Sequence, residues 1–305
     1  MKHISVLLDE AIGLLEIKED GSYMDGTLGR GGHTKKILES LNDKGRVIVF
    51  DLDSEAIEET KSYLKDDRVE YHHANFATFS EYVKPQSLDG ILLDLGVSSP
   101  QFDDPKRGFS YRFDATLDMR MDEDAELDAH KVVNEYSEEE LVRILKDYGE
   151  EPYAKRIARS IVKRRSERPI DTTFELVDVI KEAYPIKALS KKGHPAKQTF
   201  QAIRIEVNKE LSSLEKFLSE FPRFLKKGGT CVIITFHSLE DRLVKRRFKE
   251  LSEVKVDKRI ALRPEEIKRA DFSLINHKAM IASAEEIDMN SRAKSAKVRG
   301  IRKEV

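Results

Sequence analysis

One glycine-rich loop and two aspartates that close apolar runs carry the chemistry this sequence could perform. The loop reads Asp25-Gly26-Thr27-Leu28-Gly29-Arg30-Gly31-Gly32-His33. Its glycines let the backbone turn tightly and approach a ligand without a Cβ in the way. A helix is expected to start at its end, where free N–H groups favour a polar or anionic ligand group. The strict dinucleotide fingerprint is absent, because the third spaced glycine is missing. Asp51 closes the run Val47–Phe50, about 20 residues beyond the loop, where a carboxylate can hold two ribose hydroxyls. Asp53, two residues on, is assigned to the following helix instead. Asp94 closes Ile91–Leu93 and opens the polar segment Asp94-Leu95-Gly96-Val97-Ser98-Ser99-Pro100-Gln101. Asn75-Phe76 follows a weaker strand, Val69–His72, and the Phe76 ring is of a kind that stacks on a purine.

These positions need a scaffold, and the periodicity supplies one. Strands are predicted at Tyr23–Leu28, Val47–Phe50, Val69–His72 and Ile91–Leu93, with helices at Thr34–Leu41 and at Ser54–Leu64, capped by Ser54. Unbroken apolar strands alternating with amphipathic helices predict a parallel sheet with helices on its faces. Ligands of such sheets bind outside the carboxyl ends of the strands, where the loop, Asp51, Asn75-Phe76 and Asp94–Gln101 all fall.

The pattern then breaks. Helices are predicted at Ser137–Tyr148, Pro152–Arg165 and Phe174–Tyr184, with a capping box from Ser137 to Glu140. The acidic stretch Asp114–Asp128 reads as loop, and Lys191-Lys192-Gly193 as a linker. A long helix follows over Thr199–Glu220. Strand Thr230–Phe236, helix Leu239–Leu251 and the late strands Phe272–Ile275 and Lys297–Ile301 complete the chain. The simplest organisation is one α/β domain, residues 1–102 and 193–305, interrupted by a helical insertion, 103–192.

Composition narrows the function. The chain has 305 residues and a net charge of -2, so it is not an electrostatic nucleic-acid binder overall. Basic residues nevertheless cluster. Lys155, Arg156, Arg159, Lys163, Arg164 and Arg165 line one predicted helix, and Arg242, Lys245, Arg246 and Arg247 another. Beside a cofactor-type site they suggest a phosphate-rich substrate. One cysteine excludes a disulfide framework, and His33, His194 and His237 lack zinc spacing, so no metal is expected. No Gly-x-Ser-x-Gly elbow supports a serine hydrolase. No signal segment and no run of roughly 18 apolar residues are found, so a cytoplasmic protein without membrane contact is expected.

Two polar runs, Gly193–Arg204 and Phe236–Arg242, have a plain structural reading as helix starts capped by Thr199 and Ser238. They also take part in a resemblance. Together with His3–Leu8, Asp25–His33, Asp94–Gln101, Gly108-Phe109-Ser110, Leu117–Asp122, Tyr148–Glu151 and Asn290–Ser295, they make the chain similar to the bacterial 16S ribosomal RNA cytosine-N4 methyltransferases, the RsmH (formerly MraW) family. The motifs occur in order along nearly the whole chain. The resemblance implies S-adenosyl-L-methionine as cofactor and a seven-stranded class I methyltransferase fold, α/β, with an inserted helical substrate domain. It implies methylation of a cytosine exocyclic amine in the decoding centre, with small-subunit ribosomal RNA as partner. By position the family's cofactor contacts fall on Gly31, Gly32, His33, Asp51, Phe76, Asp94 and Gln101. Asp94 is also the candidate catalytic group. RNA contacts are expected from Arg156, Arg159, Lys163, His194, Lys197, Arg204, His237 and Arg242. The chain departs from the wider methyltransferase class in carrying Thr27 where a glycine is usual. It also lacks the Asp/Asn-Pro-Pro-aromatic motif common in amino-group methyltransferases. Two alternatives stand beside this reading: an NAD-dependent oxidoreductase, and an RNA-binding assembly protein on a degenerate cofactor fold. Oligomeric state stays open, a homodimer included.

Overall fold

The structure, a computed structural model, describes residues 5–96, 105–189, 193–254 and 270–305. The chain divides into two compact units, Met1–Gly96 with Leu211–Val305, and Val97–Glu210.

The first unit is built on a mixed sheet. Its strands are β1 (Ser22–Asp25), β2 (Arg46–Asp51), β3 (Val69–His73), β4 (Leu88–Asp94), β5 (Leu225–Thr235), β6 (Phe272–Leu274), β7 (Met280–Ile281) and β8 (Lys297–Lys303). Seven of them lie in the order β3-β2-β1-β4-β5-β8-β6, and the two-residue β7 pairs with β8 as an eighth. Strands β1 to β5 pair in parallel, whereas β8 runs antiparallel to β5, β6 and β7.

Alternate residues serve opposite faces, as the pleat requires. Tyr23, Val47, Val49, Leu92, Val232 and Ile234 pack with Leu14, Leu15, Ile37, Leu38 and Ile57. These five come from the helices Leu8–Leu15, Gly32–Glu39 and Ser54–Tyr63. Met24, Phe50, Ile91, Leu93, Cys231 and Ile233 pack with Leu214, Phe217, Val244 and Phe248. These four come from helices Glu210–Glu220 and Ser238–Ser252. Helices thus cover both sheet faces, and the continuous apolar runs of the parallel strands are explained by burial on both sides.

The second unit packs helices Ala129–Glu135, Glu138–Asp147, Ala154–Glu167, Thr173–Ala183 and Lys197–Asn208 around its own core. Val132, Leu141, Ile144, Ile157, Ile161, Leu176, Ile180, Phe200 and Ile203 form the centre of that core. The predicted insertion is therefore helical, but its upper boundary moves from 192 to 210. The helix expected over Thr199–Glu220 is interrupted at Lys209, which adopts a left-handed φ of 52°. Its first half belongs to the insertion. Phe200 and Ile203 make an apolar stripe that fits either core equally well, so the pattern alone could not assign it.

Caps show similar one-residue corrections. Ser137 forms the predicted box with Glu140, and Thr172 forms another with Glu175. Asp53, not Ser54, caps the helix Ser54–Tyr63, with its carboxylate accepting from Ala56 N. Asp128 caps a helix, Ala129–Glu135, that the acidic composition before it obscured. No helix among the described residues is long and apolar enough to cross a membrane.

Candidate active site

Asp25, Asp51 and Asp94 terminate β1, β2 and β4. In the parallel register Asp25 pairs with Val49 and Leu92, so the other two aspartates project two residues further along the same rim. This rim lies where the order switches direction, with β1 between β2 and β4, the position at which open α/β sheets form a crevice.

The glycine loop crosses that rim under tight steric control. Gly29 and Gly31 hold left-handed φ values of 49° and 64°. A Cβ on Gly31 would lie 2.8 Å from Thr60 Cγ2, and one on Gly32 would overlap Ser5 Oγ at 1.9 Å. The backbone is therefore bare where the helix Gly32–Glu39 begins. Thr60 Oγ1 donates to Gly29 O at 3.1 Å, and the Tyr63 hydroxyl donates to Arg30 O, which pins the loop to the next helix.

Asp51 is oriented by two backbone donors. Gly29 N donates to Oδ2 at 2.6 Å and Asp53 N to Oδ1 at 2.9 Å. Each oxygen keeps a lone pair for a further donor, the arrangement needed to hold adjacent hydroxyls. Burial pushes its carboxyl up to about 6, against the pull of these two bonds. Asp94 Oδ1 accepts from Gly96 N at 3.2 Å, and its Oδ2 lies 3.8 Å from His33 Nδ1. Burial, with further repulsion from Asp25 and Glu240, pushes the Asp94 carboxyl up to about 7. His33 sits buried in the first turn of its helix. Phe76 opens the 3-10 turn Phe76–Glu81, and its ring packs edge-to-face on Phe217 at 5.9 Å.

The structure thus gathers Gly31, Gly32, His33, Asp51, Phe76 and Asp94 on one unit. Gln101 lies outside the described residues. Two acids that sequence reasoning did not place in the site join them. Asp25 is fully buried and accepts from Thr34 Oγ1 at 2.7 Å and Thr27 N at 3.1 Å. Glu240 is buried and accepts from Phe236 N at 2.7 Å. An acid ending a strand, repeated at 25, 51 and 94, was the available signal for Asp25. Nothing in the sequence marks Glu240, whose burial depends on how its helix packs.

The expected RNA residues divide by what they do. Lys155, Arg156, Arg159 and Lys163 are exposed along one stripe of the helix Ala154–Glu167. Their neighbours are structural: Arg164 pairs with Glu182 at 3.0 Å, and Arg165 donates to Val133 O at 2.7 Å. Lys197 is exposed. Arg204 forms a two-pronged pair with Glu210 at 2.8 Å. His194 stacks on Tyr111 with ring centres 4.3 Å apart, and its Nδ1 accepts from Ala196 N. His237, rather than Ser238, caps the helix Ser238–Ser252 and forms a capping box with Glu240. Arg242 is exposed one turn further on.

The MraW methylase family pattern matches residues 1–304. The chain belongs to the MraW methylase family. It is 50% identical over 311 positions to "Ribosomal RNA small subunit methyltransferase H" of Clostridium botulinum, covering 99% of each chain. It is 48% identical to the protein of the same name from Clostridioides difficile, covering 97% of each. Among solved structures it is similar to an rRNA methylase from Streptococcus thermophilus, with a TM-score of 0.40 and 12% identity over 99% of this chain and 98% of that one. Family membership displaces the oxidoreductase alternative.

Proposed function

We propose that this chain transfers a methyl group from S-adenosylmethionine to the exocyclic N4 amine of a cytosine in the decoding centre of small-subunit ribosomal RNA. Family membership and the relatives' names support the methyl transfer and the RNA class. The observation that carries the chemistry is Asp94, a half-buried carboxylate held at a strand end beside the glycine loop. Such a substrate places the work in the cytoplasm.

The residues fit the cofactor. Gly29 and Gly31 hold the left-handed turn that brings the loop across the strand ends, and Asp51 offers one open lone pair on each oxygen. Gly31, Gly32 and His33 would hold its polar end, Asp51 its ribose hydroxyls and Phe76 the base side. When bound, it supplies an electrophilic methyl on a positively charged sulfur and leaves as a neutral thioether.

The chain must do the rest. The N4 lone pair is conjugated with the cytosine ring, so the amine is a weak nucleophile and needs orientation. Ionised Asp94 accepts a hydrogen bond from the amine N–H and takes the proton that nitrogen loses as the new N–C bond forms. The target base must leave its stack to reach this rim. The exposed stripe Lys155, Arg156, Arg159 and Lys163 grips phosphates, which fix position without reading sequence. Methylation at carbon 5 would instead need a cysteine to attack the ring. Cys231 lies buried in mid-strand between Ile91 and Ile301, and burial holds its thiol well above its usual range.

Incubating the protein with small ribosomal subunits and S-adenosylmethionine, then digesting the RNA to nucleosides for mass spectrometry, tests this reading. N4-methylcytidine is expected, and a folded Cys231→Ser protein should still form it. Formation of 5-methylcytidine instead would overturn the amine mechanism.

A further inference from the structure

Thr27 sits in the glycine loop between two acids and is hydrogen-bonded to both strand ends. The backbone N–H of Asp94 donates to Thr27 Oγ1 at 2.6 Å. Thr27 N donates to Asp25 Oδ1 at 3.1 Å, so the Asp25 carboxylate holds the backbone of Thr27. Asp25 is itself fastened from the other side, by Thr34 Oγ1 at 2.7 Å. A hydroxyl carries one proton and accepts on its lone pairs. The Asp94 N–H already points at the oxygen. The result is a short relay: Asp94 N–H to the Thr27 hydroxyl, Thr27 N–H to Asp25, with Thr34 O–H closing on the same carboxylate.

We propose that Thr27 is a positioning residue for methyl transfer, which sets Asp94 at the reacting centre by holding its backbone to the buried Asp25. The sheet leaves Asp94 in need of such a hold. It is the last residue of β4, and the next backbone bond, Leu95 N to Ile234 O at 3.0 Å, ties the chain to β5 on one side only. On the β1 side, Gly26 N donates to Leu92 O at 2.9 Å, and beyond that the strand has ended. The Thr27 hydroxyl replaces the missing rung. Asp25, buried and without a neighbouring cation among its described hydrogen-bond partners, is thereby given a task other than ligand contact: it anchors the backbone of Thr27.

This inference rests on the reading of Asp94 as the proton acceptor, and the test separates the two. Thr27→Val keeps the shape and the backbone bond to Asp25 but removes the hydroxyl that accepts from Asp94 N, whereas Thr27→Ser keeps the hydroxyl. The readouts are hydrogen exchange at the Asp94 amide, and kcat and KM for ribosomal RNA. For Thr27→Val, exchange at Asp94 should accelerate at least about tenfold, and kcat should fall about 10–100-fold with KM little changed, since small displacements at a reacting centre cost rate rather than binding. Thr27→Ser should restore both. If Thr27→Val does not fold, Thr27→Ala takes its place with the same expectations. A folded Thr27→Val that keeps Asp94 amide protection and full kcat overturns the proposal, as does a folded Thr27→Ser that fails to recover. Full activity of Asp94→Asn would overturn the acceptor reading alone, because the amide exchange still reports whether Thr27 holds the strand end.

Discussion

At the residue scale the site is a problem in burying negative charge. Asp25, Asp51, Asp94 and Glu240 converge on one end of the sheet of the first unit, and desolvation raises the three aspartates. Among the described residues each is compensated by hydrogen bonds instead of a lysine or arginine partner. Such a cluster disfavours its own ionisation and favours a cationic ligand, which suits a positively charged cofactor. For Asp94 the proton acceptor must be ionised, so kcat/KM should fall as pH drops through about 7. A pH–rate profile flat between about 5 and 8 would remove Asp94 from that role. Stability carries the opposite sign. The folded carboxyl keeps its proton to about 7 against 3.8 in an unfolded chain, so the folded form binds more protons between those values. Its contribution is therefore greatest at low pH and declines as pH rises to about 7. Asp94→Asn should flatten that slope in thermal melts of the protein without cofactor.

At the element scale the turn after β1 shows how backbone geometry makes the site. The loop can pass over the strand ends only because Gly29 and Gly31 accept left-handed dihedrals and Gly31 lies against the helix Ser54–Tyr63. Gly31→Ala adds a Cβ 2.8 Å from Thr60 Cγ2 at a φ of 64°, where an L-residue costs about 1–2 kcal/mol before any clash. Its melting temperature should drop by several degrees and its affinity for S-adenosylmethionine should fall. Unchanged affinity in titration calorimetry would show that the loop is not the cradle. The same element explains a limit of sequence reading. The glycines and Asp51 were legible because their spacing is characteristic. The caps at Asp53, Asp128 and His237 were not, because Asp, Ser and His can each cap and the choice between neighbours is made by where the preceding strand or loop delivers the chain.

At the scale of the whole molecule, two units have separate cores. The sheet unit carries the rim of Asp25, Asp51 and Asp94, and the helical unit carries the exposed basic stripe. Replacing Arg156, Arg159 and Lys163 with alanine should weaken RNA binding and reduce its dependence on salt, the slope falling by up to about one for every phosphate the variant no longer neutralises. Affinity for S-adenosylmethionine should be unaffected, because all of the predicted cofactor residues that the structure describes belong to the other unit. A full salt slope in the triple variant would move the RNA surface elsewhere.

The sequence by itself determined the parallel sheet, the helical segment between its halves and the placing of the loop, Asp51 and Asp94 at the strand ends. Each rests on local pattern: apolar runs of strand length, amphipathic spacing, and glycines followed by an acid at the next strand end. Only the tertiary structure decided that the insertion extends to Glu210, since an amphipathic helix does not say which core receives it. It also decided the partners of Arg165, Arg204 and His237, which are a carbonyl, a carboxylate and a helix terminus. The partners of Asp25, Thr27 and Glu240 were hidden for a related reason. They include groups distant along the chain, and burial of a polar group is decided by what packs over it and not by its neighbours in sequence.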